Sequence, residues 1–145
     1  MSLHLVKLCV GIDSIAQLAG RQAARLKAQS DAGKTPELYH RTRMMPRRKE
    51  ELLAGGSIYW VIRGVIQVRQ RITAIRRVRG DDGVARCDIV LAPELIATRP
   101  QPRRAFQGWR YLEGDDAPGD LGPADAAIAD IPPAMKRELL ELGLI

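Results

Sequence analysis

The sequence predicts an α+β fold: a small, strongly bent antiparallel sheet or β-barrel, with an N-terminal helix and short flanking helices. Three observations point there. Strand-like segments outnumber helical ones, the longest of them (Val65 to Val78) sits mid-chain between hairpin partners, and helical spacing is strongest near the N-terminus. The 145 residues suit one domain. Its core is expected over residues 3–112, followed by an acidic Gly/Pro-rich loop (113–133) and a C-terminal helix (134–142).

Taken in order, Leu3 to Val10 reads as a strand with His4, Val6, Leu8 and Val10 on one face. Gly11 stops it, and Asp13 is the expected N-cap of a helix. Ile15, Leu18, Ala19, Gln22, Ala23 and Leu26 form that helix's inner stripe, with Arg21, Arg25 and Lys27 opposite. Leu38 to Arg43 is a short strand, and Pro46 opens a short helix through Leu53, since a missing N–H costs nothing in a first turn. Ser57 to Ile62 is β-branched and aromatic, and Arg63-Gly64 is the turn of a hairpin. Val65 to Val78 alternates, with Ile66, Val68, Ile72, Ala74 and Val78 on one face and Gln67, Arg69, Arg71, Thr73 and Arg77 on the other. Gly80 to Gly83 is a turn, Val84 to Leu91 the returning strand, and Leu95 to Thr98 a further short one. Pro100 and Pro102 stiffen the link to the segment that follows.

The net charge of +6 hides a segregation. From His40 to Arg79 there are eleven Lys or Arg against two acids, whereas Tyr111 to Ile145 carries two bases and eight acids. A positive lobe of this kind concentrates polyanions. No apolar run approaches the ~18 residues of a membrane span, and the N-terminus lacks a secretory signal, so a cytoplasmic protein is expected. Cys9 and Cys87 stand apart from any second Cys or His at metal-ligand spacing and read as reduced, buried hydrophobes. Nucleophile-elbow, P-loop, zinc-protease and dinucleotide-turn motifs are missing, and no cofactor, metal or catalytic residue is assigned.

Three constellations suit an anionic ligand. With Arg63-Gly64 as a simple two-residue turn, Trp60 pairs with Gln67 and shares a face with Arg69 and Arg71, an aromatic platform flanked by guanidiniums of the kind single-stranded nucleic acid uses. The alternative is a core Trp60 beneath a solvated arginine face. Around Pro46, Arg43, Arg47 and Arg48 offer phosphate contacts, although Glu50 and Glu51 equally relieve the charge conflict at the helix start. The segment Pro102 to Leu112, "PRRAFQGWRYL", holds half of the chain's six aromatics among three arginines. There Arg103, Arg104 and Arg110 are phosphate contacts, Gln107 a base-edge reader and Trp109 a stacking ring, against a plain reading as a flap over the barrel's end. His4 reads as a satisfied strand residue. His40 lies among arginines that oppose its protonation, which would suit a general base.

The strings "LHLVKLCVG", "TRMMPRR", "GGSIYWVIRGVIQVRQRI" and "PRRAFQGWRYL" resemble those of an uncharacterised bacterial family, DUF1489, over nearly the whole chain. That resemblance implies no activity, ligand or catalytic residue. A likeness of layout, a short helix followed by a hairpin and one long strand, is similar to the RNA-binding barrels of the pseudouridine-synthase-associated (PUA-like) type. It implies RNA, or a modified base held between barrel and flap. The expectation is therefore a nucleic-acid-binding module for RNA or another nucleotide-like polyanion, single-stranded rather than duplex. The alternatives are an enzyme for a small phosphorylated or nucleotide-like substrate, with His40 in its pocket, and a module that docks an acidic protein partner.

Overall fold

The computed structural model describes residues 2–121; the expected helix over 134–142 and most of the acidic loop lie outside the described residues. In chain order the elements are β1 (Leu3–Leu8), α1 (Ile15–Asp31), β2 (Leu38–Thr42), α2 (Lys49–Leu53), β3 (Ser57–Ile62), β4 (Val65–Arg79), β5 (Ala85–Leu91), β6 (Ile96–Pro102) and β7 (Trp109–Glu113), with a 3-10 turn at Gly114–Asp116. The strands form one mixed seven-stranded sheet in the order β2-β5-β4-β3-β1-β7, with β6 added on β4.

The α+β class is as expected, but the sheet is neither closed nor wholly antiparallel. β1 and β3 run parallel, because α1, β2 and α2 intervene between them and return the chain to the same end of the sheet. No ladder joins the two edges, β2 and β7. They nevertheless approach: the Trp109 indole N–H donates to the Met44 carbonyl just beyond β2 (2.9 Å), and the Arg48 amide donates to the Tyr111 hydroxyl (3.1 Å).

The curvature comes from β4, which pairs with β3 and β6 along its first half and with β5 along its second. Its ladder to β5 slips by one residue between Ile72 and Ala74, leaving Thr73 unopposed. Ile72 and Ile75, an odd interval apart, therefore both face the main core. A second slip, against β3, leaves Gln67 unopposed between Ile66 and Val68. The hairpin turn itself is as expected. Arg63 and Gly64 both adopt positive φ (53° and 79°), and Ile62 pairs with Val65.

Several boundaries differ. The N-cap of α1 is Ser14, one residue later than Asp13; its hydroxyl accepts the Gln17 amide (3.0 Å), while Gln17 reaches back to the Asp13 amide. β6 continues through Pro100 and Pro102, which an outer strand tolerates because their missing N–H groups need not pair. β7 was unexpected as a strand: Trp109 to Glu113 pairs along β1. One core fills the concave side of the sheet, around Leu5, Ile58, Trp60, Ile72 and Ile89. A smaller one, with Val6, Tyr59, Ile66 and Leu112, lies on the other face.

Candidate anion-binding cleft

Helix α1 lies across the concave side of the sheet but seats only a narrow stripe on it. Leu18 is its one fully buried residue, and Ala19 and Ala23, expected on the inner face, are solvent-exposed. A cleft of about 210 Å³ remains between α1 and the strands, lined by residues of β1, β2, β3 and β5. At roughly 30 Å³ per water it holds about seven water-sized groups, the scale of one small acid or heterocycle.

The unusual residue here is Lys7. Val6 and Leu8 pack on the outer face, so by strand alternation Lys7 points to the concave side, where its register partners are Trp60 and Trp109. Lys7 is half-buried there, and a lysine drawn into a core normally has a carboxylate partner. Among the described residues Lys7 has none. Arg21 and Arg25, one helical turn apart on α1, line the same cleft and likewise meet no carboxylate among the described residues. Arg25 donates to the Tyr39 carbonyl (3.1 Å) and stacks over that ring (4.8 Å). Arg21 makes only a long contact to the Gly11 carbonyl (3.5 Å). The lining includes no Asp or Glu.

His40 completes the lining. Its ring stands edge-on to Trp60 with centroids 5.5 Å apart, and its buried Nε2 has no hydrogen-bond partner among the described residues. Burial first, then the Lys7 and Arg25 charges, hold its pKa down at about 4, so the ring is neutral at physiological pH. Burial also lowers the Lys7 pKa, partly offset by Cys9, and raises the Cys9 thiol to about 11. The floor is fixed: Gln22 and Gln70 exchange two amide hydrogen bonds of 2.9 Å, and the Trp60 indole N–H donates to the same Gln70 oxygen (2.9 Å). The other histidine, His4, is neutral and satisfied, its Nδ1 accepting the Ser57 amide (3.0 Å).

The expected constellations are dispersed. The one-residue slip at Gln67 pairs Trp60 with Val68, so Trp60 faces the core while Arg69 emerges on the opposite face beside Tyr59. Gln67 is buried and donates to the Ile62 carbonyl (3.0 Å), which removes it as an open polar contact. Arg69 grips Asp120 through two bonds (2.7 and 2.8 Å) and Ser57 through a third; Arg71 is exposed nearby. Arg48 is held by Glu51 and Glu113. Trp109 is buried with its N–H spent on Met44, and Arg110, its neighbour on a strand, faces the other way over Phe106 (5.8 Å). Arg104 and Gln107 are exposed, and Arg103 is half-buried with its amide donating to the Gly64 carbonyl. Arg43 and Arg47 are exposed. Arg47, Lys49 and Arg77 line a shallow hollow with Met45 and Pro46.

The sequence reading singled out His40 but passed over Lys7, Arg21 and Arg25. The available signal was a lysine inside "LHLVKL", a strand apolar on both faces, where no solvent-facing side is left for a charge. No helix among the described residues is long and apolar enough to cross a membrane. No curated protein and no solved structure matches the chain. Residues 5–145 match one family model, and the chain accordingly belongs to the family described as "Protein of unknown function (DUF1489)".

Proposed function

We propose that this protein binds a small nucleotide-like anion in the cleft beneath α1. The observation that carries the reading is the inward-facing Lys7, flanked by Arg21 and Arg25 and without a carboxylate among the described residues. Half-buried Lys7 loses part of its hydration and meets no carboxylate among the described residues, and Arg21 and Arg25 stand exposed on α1 at the rim of the same cleft, so an anion seated there would be met by all three. Phosphate suits that arrangement, because guanidinium forks and an ammonium make charge-assisted hydrogen bonds to its oxygens. The apolar lining with Trp60 and His40 suits a planar heterocycle beside it. The bent sheet keeps an analogy with PUA-like barrels, which hold a base against a flap, as a proposal of layout. The free thiols of Cys9 and Cys87 suit a reducing, cytoplasmic setting.

Titration calorimetry at low salt with orthophosphate, a nucleoside monophosphate and a short single-stranded RNA tests this. One saturable site is expected, weakened roughly tenfold or more by Lys7→Met or Arg21→Gln, the loss of one charge-assisted hydrogen bond. Absence of heat with all three ligands refutes it.

A second reading, a nucleic-acid strand along the exposed Arg43, Arg47, Lys49 and Arg77, is favoured by the lack of carboxylate partners for these four among the described residues. RNA affinity would then fall with salt at a log–log slope of about −0.7 per phosphate. It would respond to Arg47→Gln and Arg77→Gln but not to the cleft variants.

A further inference from the structure

We propose that Lys7 is a reactive amine, poised to condense with the carbonyl group of an anionic aldehyde or keto acid seated in the α1 cleft. The inference rests on the anion-binding reading above and adds a covalent step to it.

The placement of Lys7 carries the argument. It sits mid-strand on β1, and its neighbours in the ladders on both sides are indoles, Trp60 and Trp109. Same-face partners in adjacent strands stand about 5 Å apart, so the aliphatic stem is walled by rings. A lysine retained only to fill that space would be replaced at less cost by methionine or leucine, which bring no charge to desolvate. A lysine kept for an ordinary salt bridge would have an acid, and none of the described residues supplies one. What surrounds the amine is the feature that activates lysine as a nucleophile, apolar walls that disfavour the ammonium, while Arg21 and Arg25 stand exposed on the helix side of the same cleft, where an anionic substrate would be held. The other groups facing it are His40, neutral, and the Cys9 thiol, protonated. Neither competes for the role, because one carries little basicity and the other little thiolate.

The chemistry balances without an outside oxidant or reductant. The Nζ lone pair attacks the carbonyl carbon, the carbon–oxygen π bond opens, and a proton passes from nitrogen to oxygen to give a carbinolamine. The hydroxyl then leaves with a proton as water, and the nitrogen lone pair forms the C=N bond of an imine. Arg21 and Arg25 supply what small aldehydes otherwise lack, a hold on the carboxylate or phosphate that keeps the carbonyl beside the amine.

The test uses the full chain with glyoxylate as probe near neutral pH, reduction of any imine by cyanoborohydride, and peptide mass spectrometry to locate the label. The chain offers five lysines, of which Lys27, Lys34 and Lys49 are exposed competitors. Lys7 should carry more label than the other four together, orthophosphate should suppress that label, and an uncharged aldehyde should show no such preference. Because the mapping is done on the native sequence, it does not depend on any variant folding; Lys7→Arg, which keeps the charge, should lose the dominant label. Label spread over the lysines by exposure, or an unlabelled Lys7, overturns the proposal. If orthophosphate, the nucleoside monophosphate or the RNA still binds by calorimetry in that case, only the covalent step has failed; if none of the three binds, the anion-binding reading fails too.

Discussion

Acid should weaken this fold through His40 before its carboxylates titrate. An unfolded histidine has a pKa near 6.5, whereas His40 in the fold sits at about 4, depressed first by burial and then by Lys7 and Arg25. The folded ring is therefore neutral across a window in which the unfolded ring takes up a proton. Between pH 6.5 and 4 the unfolded state binds more protons, so stability rises with pH through this window. The contribution is complete above 6.5 and is lost as pH falls toward 4. Linkage across that difference gives roughly 2 kcal/mol lost by pH 5, and screening of a half-buried ring reduces it to about 1–2 kcal/mol. Urea unfolding followed by tryptophan fluorescence suits the measurement, since Trp60 and Trp109 are both buried. Run at intervals from pH 7.5 to 4.5, the midpoint of the native protein should fall more steeply than that of His40→Gln. His4, also depressed by burial, is present in both proteins and cancels in the difference. Lys7→Met removes one of the opposing charges and should flatten the native slope. Parallel curves for native and His40→Gln between pH 7 and 5 would refute the reasoning.

Three further outcomes follow from contacts elsewhere. A Cβ on Gly56 would stand 2.4 Å from the backbone oxygens of both Leu3 and Leu52, so Gly56→Ala should cost about 2–3 kcal/mol in urea unfolding even though the residue touches no ligand. Arg41 pairs with Asp88 through two bonds (2.7 and 3.0 Å), and Asp88 is buried; Arg41→Ala should cost about 2 kcal/mol, and adding Asp88→Asn should recover part of it. Lys7→Met should leave stability unchanged or raise it by up to about 1 kcal/mol while weakening anion binding roughly tenfold or more, a separation checked by unfolding and calorimetry on the same preparation. A large loss of stability in that variant would mean that Lys7 has a structural partner.

The order of elements was legible because it depends on local pattern. Ser57–Ile62 and the Arg63-Gly64 turn are written in β-branched residues and a glycine, and the observed strand and turn coincide with them. Strand parity was not legible. One unopposed residue, Gln67, transfers Trp60 from the arginine face to the core, and alternation of polar and apolar residues carries no mark of such a slip. β7 escaped notice for a related reason: "WRYLE" is short, its Arg and Glu resemble a loop, and it is a strand because β1 offers it an edge. The cleft escaped because it arises from three elements distant in sequence, and only Lys7 carried a local sign of it.

The same geometry explains why a run of basic residues is a poor guide to where unpaired cations lie. Among the described residues, five of the eleven cations between His40 and Arg79 (Arg41, Arg48, Arg63, Arg69 and Arg76) form ion pairs with acids from other parts of the chain, Asp88, Glu113, Asp13, Asp120 and Glu37. Folding thus spends much of the linear charge excess on internal contacts at the surface, where each pair adds little stability. Lys7 differs in environment. Exposed arginines, Arg21 and Arg25 among them, are solvated by water at little cost, whereas half-buried Lys7, with tryptophans as its partners in both ladders, loses part of that hydration and gains no carboxylate among the described residues in return. A fold that keeps such a group carries a standing penalty, and on the proposed reading an anion in the cleft would relieve it, so orthophosphate should bind more tightly there than along the exposed outer arginines.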